Sequence, residues 1–419
     1  MQSKFSAILM SLLFSAAASA QTVVIRAGHV VDTAKGLELA NQTILVKDGK
    51  IAEIGADLAI PKDAEVVDLS HEWILPGIMD AHTHVTMDPN PQHTLEGGYL
   101  EESSSARVLS GLRTSQILLG AGITTVRDVG NEANFASIAL RDAINKGWFN
   151  GPTILTSGKI IAPFGGQSRG IPPEIGPFWR FEYVDADGVD QVRQAVRQNI
   201  YYGADLIKLV ADNSPYYYSL EEIRAAVDEA HRAGRAVAVH VFDDAPARNV
   251  ILGGADSVEH GFNLSNDVLR LMKEHGTFLV GTDLPESIAK QMAAAGFPVD
   301  DPAFTSKLVD RLRRAQALGV KMAFGTDLTF EVPGKTRDQL TWEFLNSWRD
   351  AGIPAADVLK CMTVNAAQLL RIQNERGAIS KVFFADIIAV PEDPLQNIET
   401  LRAVNFVMKN GRIIRRPTK

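Results

Sequence analysis

Six side chains of types that hold metal ions stand out in this sequence because each lies in or at the end of an apolar run. His82 and His84 form a His-x-His pair closing Ile78-Met79-Asp80-Ala81-His82-Thr83-His84. Alternate residues of an extended chain face the same side, so the two imidazoles can grip one ion. Lys208 lies inside Ile207-Lys208-Leu209-Val210. Burying an ammonium without a partner is expensive. Such a lysine is either snorkelling or ion-paired, or its amine has reacted with CO2 to give a carbamate, whose two oxygens can bridge two cations. His240 in Ala238-Val239-His240-Val241 and His260 in Ser257-Val258-Glu259-His260-Gly261 each read singly as core histidines or as ligands. Asp327 ends Met322-Ala323-Phe324-Gly325-Thr326-Asp327, and an acid there either caps the next segment or binds metal. A second Gly-Thr-Asp, Gly281 to Asp283, competes with it. Asp327 is preferred because it ends the eighth candidate strand and Asp283 the seventh.

The elements that must bring these groups together alternate strand and helix. Candidate strands end near Asp80, Asp128, Ile161, Leu209, Phe242, His260, Gly281 and Asp327. Eight strands with helices between them argue for parallel pairing and for a closed (β/α)8 TIM barrel, whose strand carboxyl ends share one face. Two helices are well marked. Ser219-Leu220-Glu221-Glu222 is a capping box with apolar residues following at helical spacing until Gly234. Val189, Val192, Val196 and Ile200 recur at helical spacing up to Gly203. The Pro/Gly-rich stretch 162–177 is the one long loop of the middle. Both ends are β-rich: Thr22–Arg26, Gln42–Lys47 and Lys50–Ile54 with the turn Asp48-Gly49, then Ala385–Val390, Val404–Lys409 and Arg412–Arg415 after Asn410-Gly411. The expected organisation is a barrel over 76–375 and a small β-sandwich built from 21–75 and 376–419.

Composition bounds the function. The chain has 419 residues, 46% apolar and 22% charged, which excludes disordered, collagenous and coiled-coil classes. A net charge of −8 does not suggest a nucleic-acid partner. Cys361 is the single cysteine, so neither an internal disulfide nor a cysteine-based zinc site can form. Residues 1–20 read as a secretory signal peptide: Lys4, the apolar run Ile8–Phe14, and Ala18-Ser19-Ala20 before Gln21. The expectation is an exported, periplasmic or secreted bacterial protein with no membrane attachment after cleavage.

Taken together, the pattern resembles the amidohydrolase superfamily across nearly the whole mature chain. The resemblance rests on Pro76-Gly77-Ile78-Met79-Asp80-Ala81-His82-Thr83-His84, Ile207-Lys208, His240, Glu259-His260-Gly261 and Gly325-Thr326-Asp327. Asn365-Ala366-Ala367 and Ala385-Asp386-Ile387-Ile388-Ala389-Val390 match the return to the small sheet domain. It implies a binuclear site with two zinc ions or other divalent metals. His82, His84 and Asp327 would hold one, His240 and His260 the other, bridged by carboxylated Lys208 and a hydroxide. Asp327 would also shuttle the proton from that hydroxide to the departing amine. The resemblance is to the imidazolonepropionase-like and prolidase-like branch, which includes Xaa-Pro dipeptidases and metal-dependent carboxypeptidases. A homo-oligomer is expected from the resemblance alone. Gln167 stands where related chains often have histidine, and Ser380–Phe384 replaces their Gly-rich turn.

The function expected is cleavage of the amide or peptide bond of small carboxylate-bearing substrates, by a dipeptidase, carboxypeptidase or N-acyl-amino-acid amidase. Hydrolysis of cyclic amides or lactones is the alternative, and a non-catalytic scaffold the last. Tyr216, Tyr217 and Tyr218, after the fourth strand, are candidates to steady a carbonyl or carboxylate oxygen, as are Gln167 and Arg248. The same tyrosines also read as a surface or interface cluster, and Arg248 as a helix-surface residue.

Overall fold

Short apolar runs buried on both faces form the strands in the middle of the chain, the pattern of parallel sheets covered on both sides. The computed structural model describes residues 22–87, 100–130, 133–168, 172–212, 216–294, 301–332 and 334–417. The leader expected at 1–20 lies outside the described residues. Among these, no helix is long and apolar enough to cross a membrane. The strands are β1 (Val23–Asp32), β2 (Leu37–Lys47), β3 (Lys50–Gly55) and β4 (Glu65–Pro76) at the amino end. In the middle come β5 (Ile78–Thr83), β6 (Ile123–Asp128), β7 (Thr153–Thr156), β8 (Ile160–Ala162), β9 (Tyr183–Asp185) and β10 (Leu206–Val210). Then follow β11 (Ala236–Val241), β12 (Ser257–His260), β13 (Phe278–Val280), β14 (Ile387–Val390), β15 (Phe406–Lys409) and β16 (Arg412–Arg415).

Strands from both ends of the chain join one seven-stranded sheet, ordered β16-β15-β14-β4-β1-β2-β3. Asp48 and Gly49, at φ 52° and 78°, turn β2 into β3, and only short polar or glycine residues take such angles readily. The free edge of β3 is also engaged: Ile51 donates its N–H to Phe383 O and accepts from Val382 N–H, both at 2.8 Å. The sheet thus curls over a core of its own, with Ile25, Ile44, Ile51, Leu69, Ile387 and Phe406 in it.

The middle forms two parallel sheets, β5-β6-β7 and β13-β12-β11-β10-β8-β9. The third expected strand is split into β7 and β8, with Gly158 at φ +68° between them. Asp205 N–H donates to Thr156 O at 2.7 Å and links the end of β7 to the start of β10. The eighth expected strand, Met322–Asp327, is not a regular strand. It bridges Leu279 of β13 through Met322, while Phe324 O accepts from Ala81 N–H and Asp327 N–H donates to His82 O, both at 2.8 Å. The segment packs so closely between its neighbours that only glycine fits at 325: a Cβ there would lie 2.5 Å from Val280 Cγ1 and 2.8 Å from His82 Cβ.

Two helices deliver the chain to the central strands as expected. Val189–Tyr201 ends before Gly203 at φ +100° and leads into β10. Leu220–Arg232 begins with both bonds of the capping box, Ser219 N–H to Glu222 Oε2 at 2.8 Å and Glu222 N–H to Ser219 Oγ at 3.3 Å. It ends before Gly234 at φ +72° and leads into β11.

Candidate metal-binding active site

The parallel register aligns the carboxyl ends of β10, β11 and β12, with Val210 opposite His240 and Val241 opposite His260. His82, His84, Lys208, His240, His260 and Asp327 all line one cavity of about 280 Å³. One ligand atom each from His82, His84 and Asp327 lies within 4.8 Å of the others. His84 Nε2 is 3.0 Å from Asp327 Oδ1, and His82 Nε2 is 3.5 Å from the same oxygen. The rings of His82, His240 and His260 follow in sequence, with centroids 4.9 Å apart for His82–His260 and 4.5 Å for His240–His260. His260 and Asp327 take left-handed backbone angles, φ 69° and 53°, rare for side-chain-bearing residues and typical of strained functional sites.

The residues present fit a divalent metal. His82 Nε2 and His240 Nε2 are buried nitrogens with no hydrogen-bond partner. An unpaired buried donor or acceptor is costly, and a cation satisfies it. On His82, His84 and His260 the Nδ1 atom is engaged. His82 Nδ1 lies 2.6 Å from Glu259 Oε2, His84 Nδ1 2.9 Å from Gly130 O, and His260 Nδ1 2.9 Å from Thr282 Oγ1. These contacts orient the rings as in carboxylate–histidine–metal chains.

Electrostatics prepares the same groups. Burial, with Lys208 nearby, holds His82 down to about 4, and burial also holds His240 and His260 well below the usual imidazole value. All three are therefore neutral near pH 7, the form that binds metal. Burial pulls the Lys208 ammonium down to about 8, partly offset by Glu259 and Asp327. Burial alone would raise the Asp327 carboxyl, but His82, His84 and His260 outweigh it and keep it ionised far into acid. Its side chain is 32% exposed, so an ionised carboxylate faces the cavity.

The other expected contacts divide. Gln167 lines the cavity and accepts from Tyr183 OH at 2.8 Å. Tyr216, Tyr217, Tyr218 and Arg248 do not line it. Tyr218 is buried in the core and donates to Ala186 O at 2.8 Å, because the chain turns inward there to start the following helix. Tyr216 and Tyr217 are exposed, as is Arg248 on the helix Asp244–Leu252. Asp283 is buried against Arg311, at 2.7 Å, outside the cavity.

Sequence reasoning missed the groups behind the ligands. Glu259 accepts from Arg127 Nη2 at 2.7 and 2.8 Å and from Ser257 Oγ. Asp80 accepts from His82 N–H at 3.1 Å and from Thr326 Oγ1 at 2.8 Å, tying the His-x-His segment to the turn before Asp327. Asp128 Oδ2 accepts from Val85 N–H at 2.6 Å. A signal for two of them exists in the sequence: Arg127 and Glu259, like Lys208, are charged residues inside apolar strands.

Comparison with known proteins agrees with this geometry. A model of the amidohydrolase family matches residues 73–414. Ochratoxinase of Aspergillus niger is 28% identical over 442 residues, covering 97% of this chain and 89% of the relative. Its crystal structure superposes with a TM-score of 0.80 at 26% identity over 95% of this chain and 96% of that chain. A Xaa-Pro dipeptidase crystallised with methionine in the active site gives 0.84 at 29% identity, over 94% of this chain and 100% of that one. Imidazolonepropionase of Caldanaerobacter subterraneus is 24% identical over 409 residues, 90% of each chain. The protein belongs to the amidohydrolase family and is a hydrolase of amide or peptide bonds.

Proposed function

We propose that the protein is a metal-dependent hydrolase that cleaves the amide or peptide bond of small substrates such as dipeptides or N-acyl amino acids. The observation that carries this reading is the convergence of four imidazoles, His82, His84, His240 and His260, with the Asp327 carboxylate and the Lys208 amine on one cavity. His82, His84 and Asp327 would hold one zinc ion, and His240 and His260 a second. Lys208, its amine added to CO2 with loss of one proton, would bridge them as a carbamate. Bound metal supplies an acidified water and a Lewis acid for the carbonyl.

The chain's own residues do the rest. Asp327, ionised and beside His84, accepts the proton of the attacking water and delivers it to the leaving nitrogen. Glu259 keeps the His82 ring turned so that Nε2 faces the cavity. The two parallel sheets and the Met322–Asp327 segment are read as the wall of a (β/α)8 barrel over 76–375. The curled sheet from 21–75 and 376–419 is read as a β-sandwich.

A screen of metal-replete protein against dipeptides, N-acyl amino acids, lactams and lactones tests the reading, with Asp327→Asn as control. The expected result is amide hydrolysis lost on chelation and restored by Zn²⁺. Asp327→Asn should lower kcat by about 10²- to 10⁴-fold, the usual range for general acid–base help. An Asp327→Asn enzyme as fast as wild type refutes the proton-transfer role. Cyclic amides are the second reading, supported by the 24% identity to imidazolonepropionase. Faster turnover of lactams than of dipeptides would favour it.

A further inference from the structure

The sequence repeats a short pattern at two neighbouring strand ends: His240-Val241-Phe242 and His260-Gly261-Phe262. The strands β11 and β12 are adjacent and parallel, with Val241 opposite His260. A period of two carries the residue after next to the same side of a strand. Alternation alone would turn His260, opposite Val241, away from His240. Left-handed angles at His260 (φ 69°) and Gly261 (φ 58°) break it at the end of β12, so the imidazoles pair with centroids 4.5 Å apart and the phenyl rings pair beyond them. Phe242 and Phe262 stack with centroids 4.9 Å apart and an interplanar angle of 13°, close to the spacing of neighbouring strands. Phe242 is 4.4 Å from His240 and Phe262 is 5.4 Å from His260, both near edge-on.

The pair is fixed from behind. Phe304, opening the helix Phe304–Leu318, meets Phe262 edge-on at 5.1 Å. Asp212 Oδ2 accepts from Phe242 N–H at 2.6 Å and holds the backbone that carries the first ring. Both rings line the cavity, yet each stays partly exposed. Among the described lining residues Lys208 is the only lysine or arginine, and the two phenyl rings themselves offer an apolar, uncharged surface to a substrate.

We infer that the Phe242–Phe262 stack is the specificity wall of the site, taking an aromatic group of the substrate beside the bond that is cleaved. The inference rests on the hydrolase reading above and adds its substrate class. Aromatic groups bury large apolar area and gain further from stacking or edge contacts. Such a wall favours a phenyl group over hydrogen or methyl in the same place.

Calorimetric titration of the zinc-loaded full chain with hydrolysis products tests this without turnover. The probes are L-phenylalanine against glycine for one side of the bond, and benzoate against acetate for the other. In the wild type at least one aromatic product should bind tenfold or more tighter than its small counterpart, about 1.4 kcal/mol. Phe242→Ala and Phe262→Ala should each bring that ratio to within about twofold. Phe242→Leu and Phe262→Leu retain apolar bulk and guard against misfolding, and each should lower the ratio at least threefold at wild-type zinc content. The inference is overturned if the wild type binds aromatic and small products alike. It is equally overturned if the ratio survives in the folded leucine variants. Preferential aromatic binding by a protein that cleaves no amide would sink the amide-hydrolase reading and leave the wall standing.

Discussion

Replacing Glu259 by Gln removes one charge and almost no volume from the centre of the site. The carboxylate is fully buried and accepts from Arg127, Ser257 and His82. Burial would raise its pKa, but Arg127 and then His82 outweigh that and hold it at about 2 against an ordinary 4.5. The interval corresponds to about 3 kcal/mol of stability. The sign follows from the depression: the contribution is complete above pH 4.5 and is lost as pH falls toward 2. It agrees with the 3–5 kcal/mol usual for removing one partner of a buried ion pair. Metal-free Glu259→Gln should therefore be about 3 kcal/mol less stable than wild type at pH 7 by urea unfolding, with the difference closing toward pH 2. The His82 ring also loses its orienting acceptor, so zinc affinity should fall about 10- to 100-fold in a chelator competition. A penalty under about 1 kcal/mol, or one independent of pH between 7 and 2, would refute the ion-pair argument. Unchanged zinc affinity would refute the positioning role of Glu259.

Three more outcomes are expected. Thr282→Val removes the hydroxyl 2.9 Å from His260 Nδ1 and should weaken zinc binding about tenfold or more, with Thr282→Ser restoring it; equal affinity in all three proteins would dismiss the contact. Asp386 is buried between Lys409 and Arg376, so Asp386→Asn strands two cations and should cost about 3–5 kcal/mol in urea unfolding while zinc binding is retained; a loss under about 1 kcal/mol would contradict it. Burial pushes the Cys361 thiol up to about 12, so a thiol reagent at pH 8 should label the protein only as it unfolds, and a fast labelling phase in native buffer would count against that burial.

Much of the site is legible in the order of residues alone. His82, His84, Lys208, His240, His260 and Asp327 stand out because each is a metal-competent group in or at the end of an apolar run, where a polar side chain is expensive without a purpose. The capping box at Ser219 and the turn at Asp48-Gly49 are equally local, set by hydrogen bonds and backbone angles within a few residues. The tyrosines at 216–218 mislead for the same reason. Neighbours in sequence diverge once Tyr218 turns into the core while the other two stay exposed.

The order of residues sets the chemistry on offer: which residue types can ligate, which strands are apolar enough to be buried, and which glycines and acids end them. Only the folded chain decided the company those residues keep. Glu259 holding His82 across 177 positions, Thr282 holding His260, Asp283 withdrawn to Arg311, and two phenylalanines meeting face to face are contacts between distant segments. Nothing local encodes them, because each joins segments far apart in sequence that only the packing of strands and helices brings side by side.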